Sequence, residues 1–206
     1  MCKRMAGRPR TVSDQAILAA TGRAIARHGP ARLTLAGVAA EAGLAAPTLI
    51  QRFGSKRGLL LAFARHGAQA AAATAGAAAA AAPSPAAGLV DGLVALAAGV
   101  ASPEELAHHV AMLQIDLVDP DFRVAALEHD RAVREALRPA AAALAPEDPD
   151  GLLRDLRTAY DGSLVGWALH REGPLEAWLR ADLGRVLSRR TTSSAAPPRA
   201  RGAGRR

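Results

Sequence analysis

Thr34-Leu35-Ala36-Gly37-Val38-Ala39-Ala40-Glu41-Ala42-Gly43-Leu44-Ala45-Ala46-Pro47-Thr48-Leu49-Ile50-Gln51-Arg52-Phe53 reads as two short helices joined by a tight turn. Thr34 is an N-cap residue, whose hydroxyl can accept from a backbone N–H two or three residues on. Leu35, Val38, Ala39 and Ala42 then share one helical face, and Gly43 ends the helix. Ala46-Pro47 opens the next helix, because proline is tolerated in a first turn. Leu44 is placed to plug the space between the two, and Val38, Leu49 and Phe53 are spaced to complete a small core. Two short helices around a Gly-containing turn, inside about 20 residues, is helix-turn-helix grammar.

The surroundings extend the pattern. Ser13 is an N-cap with Asp14 behind it in the first turn, and Ile17, Leu18, Ala24 and Ile25 recur at helical spacing until Gly29-Pro30. Gly54-Ser55 breaks the third helix, and Ser55 caps a fourth from Lys56. Ser84-Pro85, Ser102-Pro103, Asp119-Pro120, Asp148-Pro149 and Gly173-Pro174 each set a cap-type residue before a proline suited to the first helical position. These marks predict five further helices, nine in all. Half of the 206 residues are apolar but aromatics make up only 3%, which favours helix over strand. The fold class is therefore all-α: a three-helix head followed by a helical bundle.

Charge separates the chain into parts. Residues 1–66 hold eleven Lys and Arg against two acids, a net +9, while residues 67–188 carry −8 and the last eighteen residues +6. Arg dominates Lys throughout, as a high-GC genome would produce, but codon bias does not explain the near absence of acids in the first third. A basic head is the electrostatic footprint of nucleic acid, because phosphate contacts release counterions. Four segments are expected: a basic arm over 1–10, a helix-turn-helix domain over 11–65, an acidic helical body over 66–190, and a disordered basic tail over 191–206.

Other function classes find little support. A single Cys2 allows no intrachain disulfide and suits a reducing cytoplasm. The Ala-rich run from Ala68 to Ala82 is too short and weakly apolar for a membrane span, and no signal peptide is read. His108 and His109 are adjacent, so on a helix they point about 100° apart and cannot share a metal. No phosphate loop, nucleophile elbow or zinc spacing occurs, so no catalytic residue, metal or cofactor is assigned.

The stretch from Thr34 through Ser55-Lys56-Arg57-Gly58-Leu59-Leu60, with the preceding helix and the Gly7-Arg8-Pro9-Arg10 arm, resembles the TetR-family DNA-binding domain over roughly residues 7–65. The resemblance implies that Thr34 and Lys56 contact phosphates and that the helix from Ala46 to Arg52 reads DNA. Ala45, Ala46 and Pro47 would allow close approach, Thr48 and Gln51 would face base edges, and Arg52 would take a phosphate. Ile50 departs from the family, which usually has Tyr there, and either faces the DNA backbone or packs on the first helix. Arg8 and Arg10 either reach an A·T-rich minor groove or stay solvated.

For the remainder, the resemblance implies a helical effector-binding domain whose last two long helices pair with a second subunit. Leu156, Tyr160 and Leu164 on one helix, and Trp178, Leu179 and Leu183 on the next, are the candidates for that interface, shared with the subunit's own core. Candidate effector-pocket residues are His109, Met112, Asp116, Phe122, His129, Tyr160 and Trp167, with core filling or a solvated face as the alternative for each. The expected function is a homodimeric transcriptional regulator, a repressor released from a palindromic operator by a small molecule. Its partners are operator DNA, a second copy and an unknown effector. An architectural DNA-binding protein, an activator and a helical enzyme are the rivals.

Overall fold

The computed structural model describes residues 12–194, with side chains through Arg190. Arg8 and Arg10, Cys2 and most of the basic tail lie outside the described residues. Among those described there are nine helices and no strand: α1 (Asp14–Arg32), α2 (Leu35–Glu41), α3 (Ala46–Phe53), α4 (Lys56–Ala81), α5 (Pro85–Leu96), α6 (Pro103–Val118), α7 (Pro120–Leu144), α8 (Pro149–His170) and α9 (Leu175–Ser194). The caps are local and work as the sequence predicts. Ser13 accepts from the Ala16 amide, Thr34 from Gly37, Ser55 from Gly58, Ser84 from Ala87 and Asp148 from Gly151, at 2.9–3.2 Å. Gly29 breaks α1 with a φ of 73°, a left-handed conformation that side chains strain to adopt, and one more turn follows to Arg32. α9 runs four residues past the boundary expected at 190, because Thr191 to Ser194 contain no proline or glycine to stop it.

The chain forms two compact units. The first holds the residues up to Gln69 together with Glu104–His129. Its core joins Ile17, Leu18, Ile25, Val38, Leu49, Leu59, Leu60 and Phe122, with Leu44, Phe53, Met112 and Ile115 partly buried against it. α6 and the start of α7 therefore belong to the same packed body as the helix-turn-helix. The boundary expected at 65/66 lies within α4, which runs on from the first unit into the second. Two polar ties reinforce this body. The His108 ring nitrogen Nδ1 donates to the Ala26 carbonyl at 2.7 Å. The Arg57 fork donates to Asp119 at 2.8 Å through both Nε and Nη2, and to Asp121 at 2.7 Å. Arg57 also lies 5.7 Å above the Phe122 ring.

The second unit holds Ala70–Pro103 and the residues from Asp130 onward. Here the alanine run has a structural use. A β-carbon on Gly92 would come within 2.9 Å of the Ala75 carbonyl oxygen and 2.6 Å of Leu137, and one on Gly88 within 2.8 Å of the Ala79 carbonyl oxygen. Small residues on α4 and glycines on α5 thus let two helix backbones approach closely. α8 and α9 pack as a hairpin over Leu152, Leu156, Tyr160, Trp167, Leu179 and Leu183, all buried. Ser163, buried on α8, donates a short hydrogen bond to Asp182 on α9.

Candidate nucleic-acid interface

The head builds its outer face from what the core rejects. In α3, Leu49 is fully buried, which turns residues about 200° away, Gln51 among them, to solvent. Ile50 is 52% exposed, so it lies on the outer face and does not pack on the first helix. Ala45, Pro47 and Gln51 are exposed, and Ala46 and Thr48 are half-buried. On α2 and its flanks, Thr34, Ala36, Gly37 and Ala40 are exposed as well. The turn between the helices is set by Gly43, whose φ of 69° lets the Leu44 amide reach back to the Ala39 carbonyl at 2.8 Å. The result is a low-relief surface of small residues with Ile50 and Gln51 standing out, a shape that can enter a major groove.

The polar residues expected at DNA are partly engaged within the protein. Thr34 Oγ1 accepts from Gly37 at 3.0 Å, and the exposed hydroxyl keeps its own hydrogen to donate. Lys56 Nζ donates to the Ala31 carbonyl at 2.8 Å, which uses one of its three hydrogens. Arg52 is turned inward: Nη1 donates to the Val12 carbonyl at 2.6 Å and to Asp14 at 3.2 Å, and the side chain is 22% exposed. Glu41, the other acid of residues 12–66, is clamped by Arg23 at 2.8 Å and by Arg27. Both acids beside the interface are thereby neutralised, which removes repulsion from an approaching phosphate backbone.

The expected pocket residues divide between the two units. Phe122 is 1% exposed in the head core, and Met112 packs against it. Asp116 is half-buried, and that burial pushes its carboxyl above the usual range. His109 is exposed and donates to the Glu105 carbonyl at 2.9 Å, while His129 is half-buried at the end of the first unit. In the second unit, burial pushes the Tyr160 hydroxyl up to about 12, and the Trp167 indole donates to the Gly173 carbonyl at 3.0 Å. The interface candidates fare similarly: Leu156, Tyr160, Leu179 and Leu183 are buried within the chain, and Leu164 and Trp178 are half-buried. The apolar side chains that the hairpin leaves exposed are Val165 and Leu169 on α8, with Ala177 and Ala181 on α9.

Two features escaped sequence reasoning. Asp119-Pro120-Asp121 was legible only as a helix start, yet it is the socket for Arg57. A groove of about 260 Å³ in the second unit is lined by Val94, Ala97, Val100, Leu175 and Leu179. Its walls come from the end of α5 and the start of α9, too far apart in sequence for any local pattern. Among the described residues no group of three metal-ligating side chains occurs, and no helix is long and apolar enough to cross a membrane.

Comparison with known proteins agrees with this geometry. The family model described as bacterial regulatory proteins, tetR family, matches residues 17–63. No curated protein matches the sequence. Among solved structures, a TetR-family transcriptional regulator from Streptomyces coelicolor is similar in fold, with a TM-score of 0.67 at 22% identity over 88% of this chain and 92% of that one. The fatty acid degradation regulator FadR from Bacillus halodurans gives 0.64 at 16% identity over 87% and 97%. GusR from Salmonella enterica gives 0.60 at 18% over 85% and 95%. Regulators of this family are DNA-binding transcription factors rather than enzymes. Residues 17–63 thus match the model of the tetR family of bacterial regulatory proteins, and the all-α fold is similar to that of TetR-family transcriptional regulators along most of its length.

Proposed function

We propose that the protein is a homodimeric repressor that sets two copies of α3 into successive major grooves of a palindromic operator and lets go when a small molecule binds. The observation that carries this reading is the outer face of the head, where Gln51 and Ile50 project from a surface of small residues with both neighbouring acids neutralised. Gln51 and Thr48 read base edges, Thr34 and Lys56 position the backbone, and Ala45, Ala46, Pro47 and Ile50 make the close contact. Arg8 and Arg10 add phosphate or minor-groove contacts from the arm.

Dimerisation uses the face of the α8–α9 hairpin that carries Val165, Leu169, Ala177 and Ala181, since the larger leucines are spent on the chain's own core. A two-fold axis there would mirror operator symmetry. The effector acts through the second unit, where the groove lined by Val94, Val100 and Leu175 is apolar enough to hold it. Its binding reaches the head through α4 and α7, helices whose residues belong to both units.

Footprinting and mobility shifts on DNA flanking the protein's own gene, over a salt series, test the reading. A protected palindrome and an affinity that falls steeply with salt are expected. Dense, sequence-indifferent coverage would instead mark an architectural protein.

A further inference from the structure

α3 is only eight residues long, so its own hydrogen bonds hold it weakly. Its N-terminus has no side-chain cap, because Ala45 occupies that position. The roll of the helix about its axis therefore depends on anchors along its inner side. The apolar anchors are Leu49, fully buried in the head core, and Ala46 and Phe53, partly buried against it. Arg52, three residues on from Leu49 and about 60° round the helix, is the polar one, tied to the Val12 carbonyl at 2.6 Å and Asp14 at 3.2 Å.

The consequence for recognition can be sized. Side-chain tips ride about 5–6 Å from a helix axis, so a roll of roughly 10° carries the tip of Gln51 by about 1 Å. A hydrogen bond tolerates only about 0.5 Å between its short and long limits. We propose that Arg52 is a positioning residue for DNA reading: it fixes the roll of α3 through Val12 and Asp14 and makes no phosphate contact of its own. A phosphate bond would require it to leave a partly buried, charge-assisted pair, and Asp14 has no other ion-pair partner among the described residues. The inference rests on α3 being the reader, and it assigns Asp14, an acid in a basic head, a constructive part in DNA recognition.

The test compares wild type with Arg52→Ala, Arg52→Lys and Asp14→Asn in binding to the operator and to an unrelated duplex across a salt series. If Arg52 positions α3, Arg52→Ala lowers operator affinity about tenfold, the low end of the cost of a mismatched base pair. Affinity for the unrelated duplex and the salt slope then stay unchanged. Asp14→Asn narrows the operator preference in the same direction, although it removes a negative charge near DNA. Arg52→Lys recovers part of it, since an ammonium can still reach the Val12 carbonyl. If Arg52 instead binds a phosphate, Arg52→Ala weakens both duplexes equally and flattens the log–log salt slope by about 0.9 for each phosphate no longer neutralised. Asp14→Asn then tightens both, and the proposal is overturned. Should Arg52→Ala fail to fold in a thermal melt, Asp14→Asn decides alone, because the two roles give its effect on operator preference differently. A wild-type protein that does not distinguish operator from unrelated duplex overturns the reading of α3, and the proposal with it.

Discussion

Replacing Phe122 by alanine should loosen the DNA-binding head, although Phe122 lies about seventy residues beyond the helix-turn-helix. The ring is 1% exposed and sits among Ile17, Leu18, Ile25, Leu49 and Leu59. A phenylalanine buries roughly 150–250 Å², which at about 25 cal/mol/Å² corresponds to about 4–6 kcal/mol. That is an upper bound, because the unfolded chain already hides part of this area and alanine keeps the β-carbon. About 3–4 kcal/mol is left, within the range for burying and then deleting an aromatic ring. For a body of fewer than about 100 residues, each kcal/mol lowers the melting temperature by about 4–8 °C, so a fall of roughly 15–25 °C is expected. Amide exchange should show reduced protection over α1, α2 and α3, with Phe122→Leu giving a milder version at about 1 kcal/mol. Trp167 and Trp178 both lie in the second unit, so their fluorescence follows that unit separately. Unchanged exchange over residues 14–53, with loosening confined to α8 and α9, would refute the assignment of Phe122 to the head core.

Val165→Glu and Leu169→Glu should each yield a monomer by sedimentation, since charges would face one another across the proposed two-fold; an unchanged dimer mass would refute that face. Leu156→Ala, by contrast, should cost about 2–5 kcal/mol of stability in urea, because the side chain is fully buried within the chain. Arg57 holds the Asp119 carboxyl below its ordinary value, chiefly through their hydrogen bond. A carboxyl lowered in the folded state stabilises above its unfolded pKa of about 3.9, and that contribution is lost as pH falls through the folded value. The gap in urea midpoint between wild type and Arg57→Ala should therefore be level from about pH 5 to 8 and close below about pH 4. A gap that opens or closes near neutral pH would refute the linkage.

The helices, their caps and the helix-turn-helix were legible because each depends on residues three or four apart. Ser13, Thr34, Ser55, Ser84 and Asp148 each cap the helix that follows, and Gly29 and Gly43 take positive φ where the pattern demanded a stop. The charge split was equally visible, since it needs no folding to exist. Ile50 was undecided in sequence, because both an inward and an outward place satisfy a two-turn helix. Only the burial of Leu49 next to it settles which way it faces.

Tertiary structure alone decided which partners those elements find. Arg52 reads as one more cation on a basic face until the chain brings Val12 and Asp14 to it, forty and thirty-eight residues away. Phe122 and Met112 look like pocket lining by type, and Leu156, Leu179 and Leu183 like an interface by periodicity. An amphipathic pattern records only that a face is buried, never against what. The sequence by itself determined an all-α chain with a basic helix-turn-helix head. Folding decided that α6 completes that head, that the large leucines of α8 and α9 fill their own core, and that α3 is braced by Val12 and Asp14. The physical reason is range: hydrogen-bonded caps and helical periodicity are written into neighbouring residues, whereas packing and long-range ion pairs depend on which surfaces the whole chain brings together.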